Sequence, residues 1–173
     1  MSTPGEQKKT ARSGIIDDIE NIVTAGYGKK EDLRALDKAI RDKYYSELMT
    51  LRHRWEKIYL TILESGQSAI GRECKTVIQV IDRLAETVHR ADYGYAPLFD
   101  RGRKVQEQEL DVLLEFDRGL AKNLTDLNQT MANAEDALKT SAWPSLNMVI
   151  DILDENLKTF EENWGKRKQA MNS

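Results

Sequence analysis

Glu86-Thr-Val-His89 sets a carboxylate and an imidazole three residues apart, the spacing with which di-metal carboxylate bundles present two ligands from one helix. Such a centre needs the motif twice, and the chain has only two histidines. The other, His53, precedes Glu56, which reverses the order. An antiparallel hairpin turning near residue 66 would also place His89 beside about residue 42, about 11 residues or roughly 16 Å from His53. No metal is assigned, and both histidines read as solvated helix-flank residues. No Gly-x-Ser-x-Gly, Walker or dinucleotide glycine pattern occurs, so no catalytic residue or cofactor is assigned either. Cys74 stands at an apolar seam position, which predicts a buried thiol with a raised pKa and not a nucleophile.

Two places remain. Asp117 occupies a helix seam where an apolar side chain is expected, and it reads as a polar residue paired with Arg or Lys that fixes register. The stretch ADYGYAPLFDRGRK, residues 91 to 104, packs tyrosines, a phenylalanine and basic residues into one interruption. Its Tyr93, Tyr95 and Phe99 have the apolar area to plug a bundle end. Arg101, Arg103 and Lys104, at a helix start, are suited to an anion or an acidic partner. The plainer reading is a connector with solvated arginines.

The elements that must position these residues are all helical. Ile15, Ile16, Ile19, Ile22 and Val23 form one face of a short helix whose back is acidic, at Asp17, Asp18 and Glu20. A membrane-surface helix would carry basic residues there, so this one is expected to lie on protein. Four longer seams follow at steps of three and four: Leu33 to Ile62, Ile70 to Val88, Leu110 to Leu138 and Leu146 to Trp164. They predict helices at about 31–64, 68–92, 103–140 and 144–170, broken at SGQS (65–68) and TSAWPS (140–145). The fold expected is all-α, an antiparallel up-down-up-down four-helix bundle or coiled coil with a short extra N-terminal helix. The alternative is one very long helical hairpin, because both breaks also fit a coiled-coil stutter. Residues 1–14 read as a disordered tail and 15–173 as a single domain.

Composition narrows the function classes. The 173 residues are 40% hydrophobic and 32% charged, with a net charge of −3 and no run of about 18 apolar residues. Membrane insertion is not expected, nor is nucleic-acid binding, since the short basic clusters are separated and surrounded by acids. The N-terminal MSTPGEQKKTARSG has no apolar run of the signal type, and a lone cysteine fits a reducing compartment; both point to the cytoplasm. The sequons at Asn123 and Asn128 fall inside a helix and read as coincidental.

The reading that results is a non-enzymatic helical-bundle protein acting through protein–protein interaction or assembly. Its alternative is a small-ligand or anion-binding helical module using the 93–104 loop. Helix-length arithmetic adds an expectation of homodimerisation. A turn near residue 97 would make the last hairpin project about 13 residues beyond the first, roughly 20 Å. Met131, Leu138, Trp143, Leu146 and Ile150 on that projection would then meet a second copy.

Overall fold

The computed structural model describes residues 14–25, 30–90 and 107–172. The tail before residue 14 and the whole of the 93–104 stretch lie outside the described residues. Within them the regular elements are helices: α1 (Ile15–Ala25), α2 (Lys30–Glu64), α3 (Ser68–His89), α4 (Glu107–Lys139) and α5 (Trp143–Asn172). The seams become the core. Ile40, Tyr44, Leu48, Trp55 and Ile62 of α2 are buried against Cys74, Ile81 and Val88 of α3 and against one stripe each from α4 and α5. Removing those apolar surfaces from water is the main term favouring the bundle.

Both sequence breaks are turns, so the chain is a bundle and not one long hairpin. At the first, Gly66 adopts φ +77°, a left-handed conformation that glycine takes at little cost. At the second, Ser141 does the same with φ 53°. Its N–H donates to Leu138 O (3.1 Å) while the Ala142 N–H donates to Ala137 O (2.9 Å), the paired bonds of a Schellman motif. Ser141 thus closes α4 from the position after its last turn, and Pro144 falls in the first turn of α5, where its missing N–H costs nothing. Gly71, which weakens the α3 pattern in the sequence, has a packing role: a Cβ there would stand 3.2 Å from Leu63 Cδ2.

Side-chain pairs fix the helix directions. Arg52 pairs with Asp82 and the Tyr45 ring lies on His89, so α2 and α3 are antiparallel about residue 67. Asn156 donates to Thr130 and Asn163 to Asn123, so α4 and α5 are antiparallel about residue 143. Tyr44 meets Asp117 and Arg54 meets Asn128, offsets of 73 and 74 residues, so α2 and α4 run parallel. The α2 helix packs on α3 and α4, and α5 packs on α4 and α3. Among the described residues α3 and α4 do not touch and stand across the diagonal.

This arrangement corrects the length arithmetic. The projecting tip required α3 and α4 to be antiparallel neighbours turning near residue 97; they are diagonal instead. Carrying the parallel offset of α2 and α4 forward from Arg54 brings Gly66 level with about residue 140. The two turns are therefore side by side, and neither hairpin overhangs the other. Met131, Leu146 and Ile150 are buried in the common core, while Leu138 and Trp143 are partly buried against it. Met131, Leu146 and Ile150 are thus spent inside the monomer, and no projecting tip is left to present the five as one surface.

Helix α1 lies on α4 and α2. Ile19 is fully buried in the core, Asp18 pairs with Lys43 (3.1 Å) and Glu20 with Arg118 (3.0 Å). The acidic back that argued against lipid meets basic residues of the bundle.

Candidate functional site

The seam residue Asp117 is the centre of a buried ionic cluster at the end of the bundle away from the turns. Arg167 Nε donates to Asp117 Oδ1 (2.7 Å), and the Tyr44 hydroxyl donates to the same oxygen (2.6 Å). Arg167 Nη2 donates to Asp37 Oδ1 (2.7 Å), whose other oxygen accepts from Arg41 Nε (2.9 Å). The third face of the guanidinium is taken by Met171 Sδ at 3.2 Å and by the Trp164 ring, whose centroid lies 5.4 Å away. Tyr44 meets Phe160 and Trp164 edge-on at 6.2 and 6.1 Å, so the aromatic rings of α5 reach across the diagonal to α2.

Among the described residues two arginines face two aspartates, so their charges balance. Burial pushes the Asp117 carboxyl above the ordinary carboxylate range, and the Arg167 and Tyr44 contacts only partly oppose it. Burial likewise pushes the Tyr44 phenol well above its usual 10.0, helped by the neighbouring Asp117 carboxylate. Burial alone would favour neutral Arg167, but Asp117 and Asp37 more than compensate and keep it cationic. Tyr44 is thus a neutral donor and Arg167 a fixed cation. Their donors are spent inside the cluster, which suits it to holding four helices in register. Nearby, the Trp164 indole N–H is buried with no hydrogen-bond acceptor among the described residues, at a cost of about 1–3 kcal/mol.

No protein-family model, curated protein or solved structure matches this chain.

The structure places the other sequence candidates as follows. His89 stacks on Tyr45, with ring centroids 4.6 Å apart, and Glu86 pairs with Arg90. His53 is exposed on α2, eight positions from Tyr45. Among the described residues no group of three or more His, Cys, Asp or Glu is placed to hold a metal. Cys74 is free and fully buried, and burial pushes its thiol up to about 12. Asn128 accepts from Arg54 Nη1 (3.1 Å) and Asn123 accepts from Asn163 (2.7 Å), so both sequon asparagines are committed to interhelical bonds. Tyr93, Tyr95, Phe99, Arg101, Arg103 and Lys104 lie outside the described residues. No helix among the described residues is long and apolar enough to cross a membrane.

The sequence reading gave Asp117 an unnamed Arg or Lys partner; that partner, Arg167, stands between Lys166 and Lys168 in one of the short basic clusters set aside there. A signal was present. Leu157, Phe160, Trp164, Arg167 and Met171 continue the fourth seam in steps of three and four, so Arg167 faces inward like its neighbours. The exposed apolar residues were missed as well: Val112 of α4, 50% exposed, and two pairs at the turn end. Leu60 and Leu63 of α2 are 52% and 48% exposed, and Met148 and Ile152 of α5 are 67% and 50% exposed. Each pair lies off its helix's seam, at spacings of three and four, and both pairs are at the turn end of the bundle.

Proposed function

We propose that this chain is a non-enzymatic helical-bundle protein that acts through protein–protein contact or assembly. What supports the reading is the division of roles between interior and surface. The buried charged side chains Arg41, Asp117 and Arg167 are engaged in the ionic cluster, whereas four large apolar side chains at one end, Leu60, Leu63, Met148 and Ile152, are left to solvent. A single buried, free cysteine supports a reducing compartment such as the cytoplasm as its place of action.

The test is the sedimentation of the tagged chain in extracts of its source cells. The chain should travel in a species larger than the monomer. Replacing Leu60 and Leu63, or Met148 and Ile152, by glutamate should reduce that species without changing helicity or melting temperature. Sedimentation as a bare monomer, indifferent to these changes, would overturn the reading.

A further inference from the structure

If the chain works by protein contact, as proposed above, the chemistry around Met148 and Ile152 identifies the partner. Asn156 and Asn163 of α5 bond to Thr130 and Asn123 of α4, so these positions mark the line along which the two helices touch. Ile152 and Met148 precede Asn156 by four and eight residues and stand outward of that line, 50% and 67% exposed. The same antiparallel pairing sets Asn133 of α4 level with residue 153 and Ala137 level with residue 149. Two short side chains on α4 and two large apolar ones on α5 thus form a shallow groove on the outer side of the hairpin.

The groove lies in acidic surroundings. From Asn123 to Gly165 the chain holds eight Asp or Glu and two Lys. Both lysines are paired and turned away. Lys139 meets Asp136 (3.9 Å) one turn after Glu135, which reaches α2, and Lys158 meets Asp154 (2.9 Å) one turn before Glu161, which reaches α3. By contrast, Asp151 follows Met148 by three residues and Glu155 follows Ile152 by three; both are exposed, and neither has a salt bridge among the described residues. The next exposed cations on this side, Lys122 and Lys166, lie one turn beyond Asp126 and Glu162, at roughly 20 Å from Ile152 along the bundle. That is well beyond the reach of a charge in physiological salt.

The sign of the groove selects its occupant. Two copies meeting through it would oppose carboxylate to carboxylate, and nucleic acid or anionic lipid would be repelled. What fits is a protein segment whose apolar side chains are flanked by Lys or Arg. A groove between two helices, with an apolar pair at a spacing of four, suits a third helix anchored at steps of three and four. Leu60 and Leu63 carry no such sign, because Lys57 stands between Glu56 and Glu64. We infer that the outer groove of the α4–α5 hairpin is a docking site for a basic amphipathic helix of another protein. Apolar anchors of that helix seat on Met148 and Ile152, and its cations meet Asp151 and Glu155.

Fluorescence anisotropy with a labelled synthetic peptide tests this on the full-length chain. The probe is a helix of about 18 residues with leucines at steps of three and four on one face and lysines on the other. One control carries glutamates for the lysines, and a second has the probe's composition shuffled so that no apolar face forms. The lysine helix should bind the wild-type chain below about 1 mM, the weak end of specific affinities, and less tightly as salt rises. The glutamate helix should not bind, and the shuffled peptide should bind about tenfold more weakly or worse. Met148→Ser with Ile152→Ser should weaken the lysine helix by about tenfold or more, and Asp151→Lys with Glu155→Lys should abolish its binding. Glu64→Lys with Glu73→Lys makes the same change of net charge on the other hairpin and should matter far less. Each variant is first checked for unchanged helicity and melting, and if the Asp151 and Glu155 pair unfolds the chain, Asp151→Asn with Glu155→Gln takes its place. A probe that does not bind, that binds as well when shuffled, or that binds both groove variants like the wild type would overturn the inference. So would self-association of the wild-type chain that Met148→Ser with Ile152→Ser removes, since the groove would then belong to a second copy. None of these results touches the larger species expected in cell extracts, which other contacts can form, so the broader reading stands or falls separately.

Discussion

Asp117 and Arg167, 50 residues apart in the chain, meet at 2.7 Å inside the bundle, and each also binds a side chain of α2: Asp117 the Tyr44 hydroxyl and Arg167 the Asp37 carboxylate. One ion pair thus ties the α4–α5 hairpin to the first long helix. Asp117→Leu leaves the buried Arg167 cation with half its partners and is expected to cost about 3–5 kcal/mol. Adding Arg167→Met and Tyr44→Phe removes the groups left without partners, while Asp37 keeps Arg41. The triple variant should recover most of the loss. Urea unfolding of the three stages checks this, and a triple variant weaker than Asp117→Leu would show that the cluster contributes more than its pairing.

The two turns should answer oppositely to small changes. Ser141 is held at φ 53° and Gly66 at φ +77°. A left-handed conformation costs a residue with a Cβ about 1–2 kcal/mol, and glycine gives part of this back as greater freedom of the unfolded chain. Ser141→Gly is expected to stabilise by about 0.5–1 kcal/mol. Gly66→Ala should destabilise by about 1 kcal/mol even though the space around it is open. Thermal melts of both variants would show the opposite shifts.

Cys74 should be inert while the chain is folded. With its thiol raised from 9.0 to about 12, its thiolate population at pH 8 is about 1,000-fold below that of an unburied cysteine. Alkylation by iodoacetamide is expected to slow by at least that factor and to accelerate in urea as the chain opens. The same shift predicts an alkaline limb of stability. Folded Cys74 keeps its proton where the unfolded chain loses it, so stability falls as pH rises from about 9 towards about 12, at up to about 1.4 kcal/mol per pH unit. Tyr44, also raised by burial, adds a fall above pH 10. Cys74→Ala should remove the first part of the fall and leave the second.

The docking of α1 should depend on Ile19 far more than on its ion pairs. Ile19 is fully buried, whereas Arg118 and Glu20 are each close to half exposed and such pairs are worth little in water. Ile19→Ala is expected to cost about 2–4 kcal/mol of docking, which would speed hydrogen exchange of the α1 amides by about two orders of magnitude. Arg118→Ala should change them little.

The described helices, the core stripes and the places of both breaks were legible in the sequence, because spacing at three and four residues records which face is buried, whereas it leaves turn or stutter open at each break. Asp117 was legible as a paired seam residue for the same reason. Neighbour relations were not. Whether α4 returns beside α3 or crosses to lie parallel to α2 depends on which seams interlock, and the seams of α2 and α3 are equally apolar. The projecting tip was an error of that origin. Arg167 was obscured by the two lysines beside it, which suggested a solvated terminus, although the step from Trp164 to Arg167 to Met171 placed it in the seam. Leu60 and Met148 were passed over because attention to the seam discards apolar residues that lie off it.

The diagonal reach of the α5 side chains bears on how the chain comes apart. Each hairpin closes over a short loop and forms its contacts with near neighbours in sequence, so either could assemble early and by itself. The contacts that couple the halves are those between layers, with Tyr44 against Phe160 and Trp164 and Arg167 against Asp37 across the centre. Those side chains govern cooperativity more than local strength. Weakening them would leave two helical hairpins that lose their structure at separate temperatures, with helicity persisting after the aromatic environment of Trp164 has already changed.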